Sequence, residues 1–214
     1  MTTEYQVEQL AATLHSIMSQ GGHLNNVALF RHLVILLAEG QAVAPERLAR
    51  ALGRSPADVV AVLGKRPSIE WDAAGNVIGS GLTLNPTPHR FELNGRTLFT
   101  WCALDSLMFP GLLGQTVHVQ SPCASTATPI RVTITPHGVE HVKPAAAVVS
   151  VITPEASPDI RRVFCDYVNF FRSPEAASTW LAQHPHATVV PVREAYQLGK
   201  RLVELTDRSL ASNS

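Results

Sequence analysis

HRFELNGRTLFTWCALDSLMFPGLLG, residues 89–114, changes its hydrophobic period halfway along. The first half is two β-prone runs on either side of Asn94-Gly95, a dipeptide that closes two-residue hairpins because both positions accept positive φ. From Cys102 onward the apolar residues recur at helical spacing, and Pro110 with Gly111 is expected to terminate or kink the helix. Cys102 therefore stands at a strand-to-helix junction, with Asp105 three residues further on. A hairpin running directly into a helix marks this half of the chain as α+β.

Downstream, QTVHVQSP (115–122), PIRVTITP (129–136) and AAAVVSVIT (145–153) alternate or are β-branched and read as strands. IRRVFCDYVNFF (160–171) reads as another, with Val163, Cys165, Tyr167 and Asn169 on one face and Phe164 pointing away from Cys165. A Ser-Pro start opens a helix at SPEAASTWLAQHP (173–185), and ATVVPVREAYQLGKRLVELT (187–206) supplies a last strand and helix. Upstream the character is different. Residues 4–19 and 25–40 carry helical periodicity, and APERLARALG (44–53) with SPADVVAVLGKRP (55–67) forms a helix-turn-helix pair. IEWDAAGNVIGSGLTL (69–84) then reads as a wing hairpin. The expected division is a helical, winged-helix-like N-terminal module over 1–80 and an α+β module over 81–214. No internal repeat or low-complexity segment is present.

The 214 residues, 45% hydrophobic, suffice for a substantial core. Seventeen basic residues balance seventeen acidic ones, so no basic surplus draws the chain to polyanions, and a small-molecule partner is expected. The helix-turn-helix invites a nucleic-acid reading, but residues 1–80 hold six basic against seven acidic side chains. Its second helix offers an aspartate and no base-reading Arg, Asn or Gln. Apolar runs such as AAAVV (145–149) are far short of the ~20 residues of a membrane span. MTTEYQVEQL has no basic leader region, and three widely spaced cysteines do not form a disulfide framework, so a reducing, cytoplasmic setting is expected. The nine histidines form no HExxH array, and no CxxC pair, GxGxxG, phosphate loop or GxSxG elbow occurs.

The chemistry then rests on Cys102, Cys123 and Cys165. Free cysteine is ordinarily a small buried hydrophobe, the reading preferred for Cys123. Cys102 differs, because a thiol in the first turn of a helix lies near unpaired N–H groups that lower its pKa toward the thiolate. Asp105 shares its helix face; spacing leaves open whether that carboxylate joins the chemistry or merely satisfies the helix end. Spacing also leaves open whether Cys165 fills the core or approaches Cys102.

LFTWCALDSLMFPGLLGQTVHVQSPC (98–123), RRVFCDYVNFF (161–171) and EWDAAGNVIGSGLTL (70–84) closely resemble the bacterial organomercurial lyases, or alkylmercury lyases, over roughly residues 25–200. The resemblance implies a helical, winged-helix-like N-terminal domain packed on an α+β catalytic domain with antiparallel or mixed strands. It implies cleavage of the carbon–mercury bond of alkyl- and arylmercury compounds by protonolysis, giving a hydrocarbon and Hg(II). Cys102 and Cys165 correspond to the family's catalytic thiols, Asp105 to its carboxylate and Cys123 to its structural cysteine. No cofactor is implied, since mercury is substrate and product. Low-molecular-weight thiols and a mercuric reductase are the implied Hg(II) acceptors, with no nucleic acid or membrane partner. Soft mercury suits two thiolate ligands. In one departure, Asp166 follows Cys165 where some relatives carry a further cysteine. Trp101 and Phe164 flank the cysteines and could exclude water, although packing is the commoner role of such aromatics. The rival class is a non-catalytic soft-metal or organomercury sensor with a DNA-binding head.

Overall fold

The computed structural model describes residues 4–23 and 25–211; the extreme ends of the two expected modules, including the first three residues of the N-terminus, lie outside them. Four helices come first: α1 (Glu4–Gln20), α2 (Val27–Leu37), α3 (Pro45–Leu52) and α4 (Pro56–Leu63). The α3–α4 pair follows its sequence signals. Pro45 and Pro56 occupy first turns, Gly53 ends α3 at φ 62°, and the Ser55 side chain accepts the Asp58 N–H.

Strands β1 (Glu70–Trp71), β2 (Val77–Ser80) and β3 (Leu82–Thr83) form the wing. The hairpin β4 (His89–Leu93) and β5 (Arg96–Thr100) turns through Asn94 and Gly95 at φ 49° and 75°, as that dipeptide requires. After helix α5 (Ala103–Leu113) come β6 (Val117–Pro122), β7 (Pro129–Thr135) and β8 (Gly138–Lys143). These strands form one eight-stranded antiparallel sheet ordered β1-β2-β3-β5-β4-β6-β7-β8. Through the β3–β5 pairing the wing is continuous with the rest of the sheet. β8 is a strand that sequence reading missed, since GVEHVK shows only weak alternation.

A second antiparallel sheet, ordered β10-β9-β11, joins β9 (Val148–Ile152), β10 (Phe170–Phe171) and β11 (Ala187–Pro191). Helix α7 (Pro174–Gln183) precedes β11, and the last helix is α8 (Val192–Ala211). α5 lies against β4, β5 and β7 and packs on α8, which packs in turn on α1.

Two expectations are corrected. α5 runs through Pro110 and Gly111 and stops three residues later at Gly114, whose φ of 66° forms the left-handed cap. The proline ring forfeits only one helical bond near a C-terminus, which the packing of α5 against sheet and α8 outweighs. Residues 160–171 are not one strand either. Helix α6 (Ile160–Val163) and a 3₁₀ turn (Cys165–Tyr167) precede the two-residue β10. Asp159 caps α6 by accepting the Arg162 N–H at 3.3 Å. Ser150 Oγ donates to the Tyr167 carbonyl at 2.7 Å and accepts the Asn169 N–H at 2.9 Å. Capping by the adjacent Asp159 and hydrogen bonding from the distant Ser150 override the β propensity of Val163, Phe164 and Tyr167.

Candidate active site

Strand β5 delivers Trp101 and Cys102 to the start of α5, and Cys102 is the N-cap: its backbone is extended at φ −144° and its Sγ accepts the Asp105 N–H at 3.4 Å. The next N–H, that of Ala103, donates to the Val168 carbonyl at 2.9 Å. That bond ties the start of α5 to the 3₁₀ turn holding Cys165. Cys102 Sγ, Cys165 Sγ and an Asp105 carboxylate oxygen consequently lie within 4.8 Å of one another. Cys102 is 1% exposed and Cys165 5%. Asp105 Oδ2 is buried without a hydrogen-bond partner. Among the described residues this is the one cluster of three or more metal-ligating side chains at such spacing. Cys123 lies outside it. Its Sγ accepts the Arg172 N–H at 3.3 Å and sits 3.5 Å from Ser125 Oγ, the contacts of a turn anchor. Burial opposes its ionisation, but hydrogen bonds from Ser125, Thr126 and the Arg172 N–H prevail and bring that thiol down to about 7.

The electrostatics correct the expectation for Cys102. Burial, the hydrogen bond to Cys165 and the Asp105 charge push the Cys102 thiol well above its ordinary range, despite the helix-end N–H. The partial charge at a helix N-terminus is too small to offset complete desolvation. For Cys165 the hydrogen bond from Cys102 favours the thiolate, yet burial and the neighbouring Asp105 and Asp166 leave its pKa raised. Burial also raises Asp105, to about 6, with the Cys102 hydrogen bonds and the Arg161 charge restraining the shift. Near neutral pH the cluster thus holds two protonated thiols around the group that ionises most readily. A carboxylate so placed can accept a proton from either sulfur and return it to a neighbouring atom.

Sequence reading passed over the residues that brace this cluster. Glu70 of the wing accepts hydrogen bonds from Trp101 Nε1 at 3.0 Å and Asn85 Nδ2 at 2.9 Å, another from Thr83, and an ion pair from Arg161. Burial works against the Glu70 charge, but these donors hold its pKa below the ordinary value. The Arg161 guanidinium lies 5.0 Å from the centroid of the Trp101 ring. Glu70 therefore links the residue before Cys102 to the helix before Cys165. The place of Glu70 beside Trp71 in a short wing strand gave no sign of this role in the sequence.

A partly open cavity of about 260 Å³ adjoins Asp105 and Cys165. Its wall is mainly apolar: Met18 of α1, Phe30 and Val34 of α2, Met108 and Leu112 of α5, and Phe164. Phe164 was expected to point away from Cys165. It faces the same cavity because the chain turns helically there instead of alternating. Trp101 also lines it.

Two family models divide the chain between them. The helix-turn-helix domain of alkylmercury lyase matches residues 7–81 and alkylmercury lyase matches residues 82–204. An alkylmercury lyase of Streptomyces lividans is 49% identical over 93% of both chains. One of Staphylococcus epidermidis is 46% identical over 92% of this chain and 91% of its own, and one of Bacillus cereus 42% identical over 100% and 97%. Among solved structures, the mercury-bound form of MerB2 superposes with a TM-score of 0.76 at 26% identity, covering 92% of this chain and 98% of that one. By sequence along nearly its whole length and by fold, the chain belongs to the alkylmercury lyase family.

Proposed function

We propose that this protein cleaves the carbon–mercury bond of alkyl- and arylmercury compounds by protonolysis at Cys102, Cys165 and Asp105. The observation that carries the reading is the buried cluster itself, two thiols and an under-bonded carboxylate within 4.8 Å beside an apolar cavity. A carbon–mercury bond resists water because carbon must be protonated as the bond breaks. Cys102 transfers its proton to Asp105 as its sulfur bonds to R–Hg⁺, and that proton leaves with the displaced ligand. Cys165 then adds as second thiolate, again through Asp105, and pushes electron density through mercury onto the carbon. Asp105 returns the second proton to that carbon, so the C–Hg electron pair becomes the new C–H bond. The products are R–H and Hg(II) held by two thiolates. Two soft sulfur donors suit the metal, and burial, which raises Asp105 to about 6, makes it able to carry a proton both ways.

The chemistry needs neither organic cofactor nor resident metal, since mercury enters as substrate and leaves as product. Release from two thiolates requires exchange with other thiols, so low-molecular-weight thiols and a mercuric reductase complete the cycle, in a reducing cytoplasm and in the service of mercury resistance. No helix of the described residues is long and apolar enough to cross a membrane. The N-terminal module serves the cavity: Met18, Phe30 and Val34 form part of its wall, and the module's slight acidic excess disfavours DNA. Headspace gas chromatography of protein, phenylmercury and excess thiol tests the reading. Benzene release supports it; a DNA gel shift without benzene would instead identify the sensor.

A further inference from the structure

The middle of α8 carries a glycine, Gly199, where its sequence and length would favour a helix former. A Cβ built there would lie 2.3 Å from Met108 Cγ, 3.3 Å from Met108 Sδ and 3.5 Å from Leu104 Cδ1. Gly199 is therefore a notch in α8 that receives the Met108 side chain of α5. Met108 is one turn beyond Asp105 on the same helix, and both line the cavity beside Cys165. The notch draws methionine bulk out of space that the organic group of a substrate would occupy. A dry apolar cavity of about 150 Å³ already accepts benzene, and this one measures about 260 Å³. Room for an aryl group thus depends on where Met108 lies.

We infer that Gly199 and Met108 together set substrate breadth: the notch in α8 keeps the cavity open to arylmercury compounds, and filling it would convert the enzyme toward small alkylmercury substrates. This rests on assigning the cavity to the organic group. Any side chain at position 199 must displace Met108. Methionine has three rotatable bonds and yields easily, and the empty space beside it is the cavity. The displaced thioether then competes with a phenyl ring but leaves room for a methyl group. A misfit of about one methylene in an apolar pocket changes discrimination by roughly tenfold or more.

The test compares kcat/KM for phenylmercury and methylmercury, with excess thiol, in wild type, G199A, M108A and G199A/M108A. The phenyl-to-methyl ratio should fall about tenfold or more in G199A. It should return to at least the wild-type value in G199A/M108A, which removes the displaced side chain. If G199A does not fold, M108A and the double variant carry the test, since both should raise the ratio of 1-naphthylmercury to phenylmercury. An unchanged ratio in G199A, or a lowered ratio that loss of the Met108 side chain does not restore, overturns the inference. Wild-type protein that releases no benzene would instead overturn the lyase reading beneath it.

Discussion

The two thiols of the site are held in contrasting ways. Cys102 caps an eleven-residue helix fed by a strand inside an eight-stranded sheet, so repeated backbone bonds fix it. Cys165 lies in a four-residue helix and 3₁₀ turn whose shape depends on individual side chains: Asp159 at Arg162, Ser150 at Tyr167 and Asn169, Arg161 at Glu70. A ladder shares the loss of one bond among its neighbours, whereas a turn pinned at single points does not. Cys102 is thus set on a rigid frame, and Cys165 is set by contacts that can be removed one at a time. Glu70 is the side-chain contact that joins the two regions, beside the backbone bond from Ala103 to Val168.

The largest expected effects ask whether both thiols are needed. Cys102→Ser and Cys165→Ser should each abolish benzene release from phenylmercury at any thiol concentration, measured by headspace chromatography. Cys123→Ser should retain activity and lose stability, because its thiol anchors only a turn. Asp105→Ala should come next: mercury still binds, but turnover falls by about 10²–10⁴-fold, the usual contribution of a positioned acid–base group. Stopped mercury-binding titrations beside turnover assays separate the two.

A smaller effect distinguishes the frame from the pinned turn. Glu70→Gln should lower turnover by roughly tenfold while leaving binding of the first mercury ligand intact, because the Arg161 anchor loosens Cys165 more than Cys102. Losing one partner of a buried pair costs ~3–5 kcal/mol. With Arg161 35% exposed, a loss of about 1–2 kcal/mol in chemical denaturation is expected here. Equal loss of mercury capture and turnover would show that Glu70 supports both thiols alike.

The smallest effect is on pH. The folded Asp105 pKa of about 6 stands above its ordinary value, so folding favours the protonated carboxyl. That preference is fully present below about pH 4 and is lost as pH rises through about 6. Asp105→Asn removes the ionisation. Its stability relative to wild type should therefore grow between about pH 4 and 6.5 and then level off, by up to roughly 3 kcal/mol at ~1.4 kcal/mol per unit. Thermal melts across that range check the slope. In the enzyme itself kcat/KM should fall as pH drops below about 6, because a protonated Asp105 cannot accept the Cys102 proton.

Legibility in sequence follows the same contrast. Asn94-Gly95, Ser55-Pro56 and Ser173-Pro174 act on their immediate neighbours, so hairpin, helix pair and α7 could be read locally. Cys102 was visible as a junction residue for the same reason. Residues 160–171 could not be read this way, because Ser150 and Glu70, distant in sequence, decide their course. Asp159 before IRRV was the available local signal for α6. The approach of Cys165 to Cys102 came from family resemblance alone at the level of sequence; in the fold it follows from the Ala103–Val168 bond. The thiol pKa went the other way from the local reading because burial is a property of the whole fold.

The most direct measurement is a single turnover without added thiol, mixing protein with equimolar phenylmercury and quantifying benzene and protein-bound mercury. Wild type should release one benzene per protein and retain mercury on two sulfurs, and Cys165→Ser should bind phenylmercury and release none. Benzene release by Cys165→Ser at close to the wild-type rate would contradict the two-thiolate account.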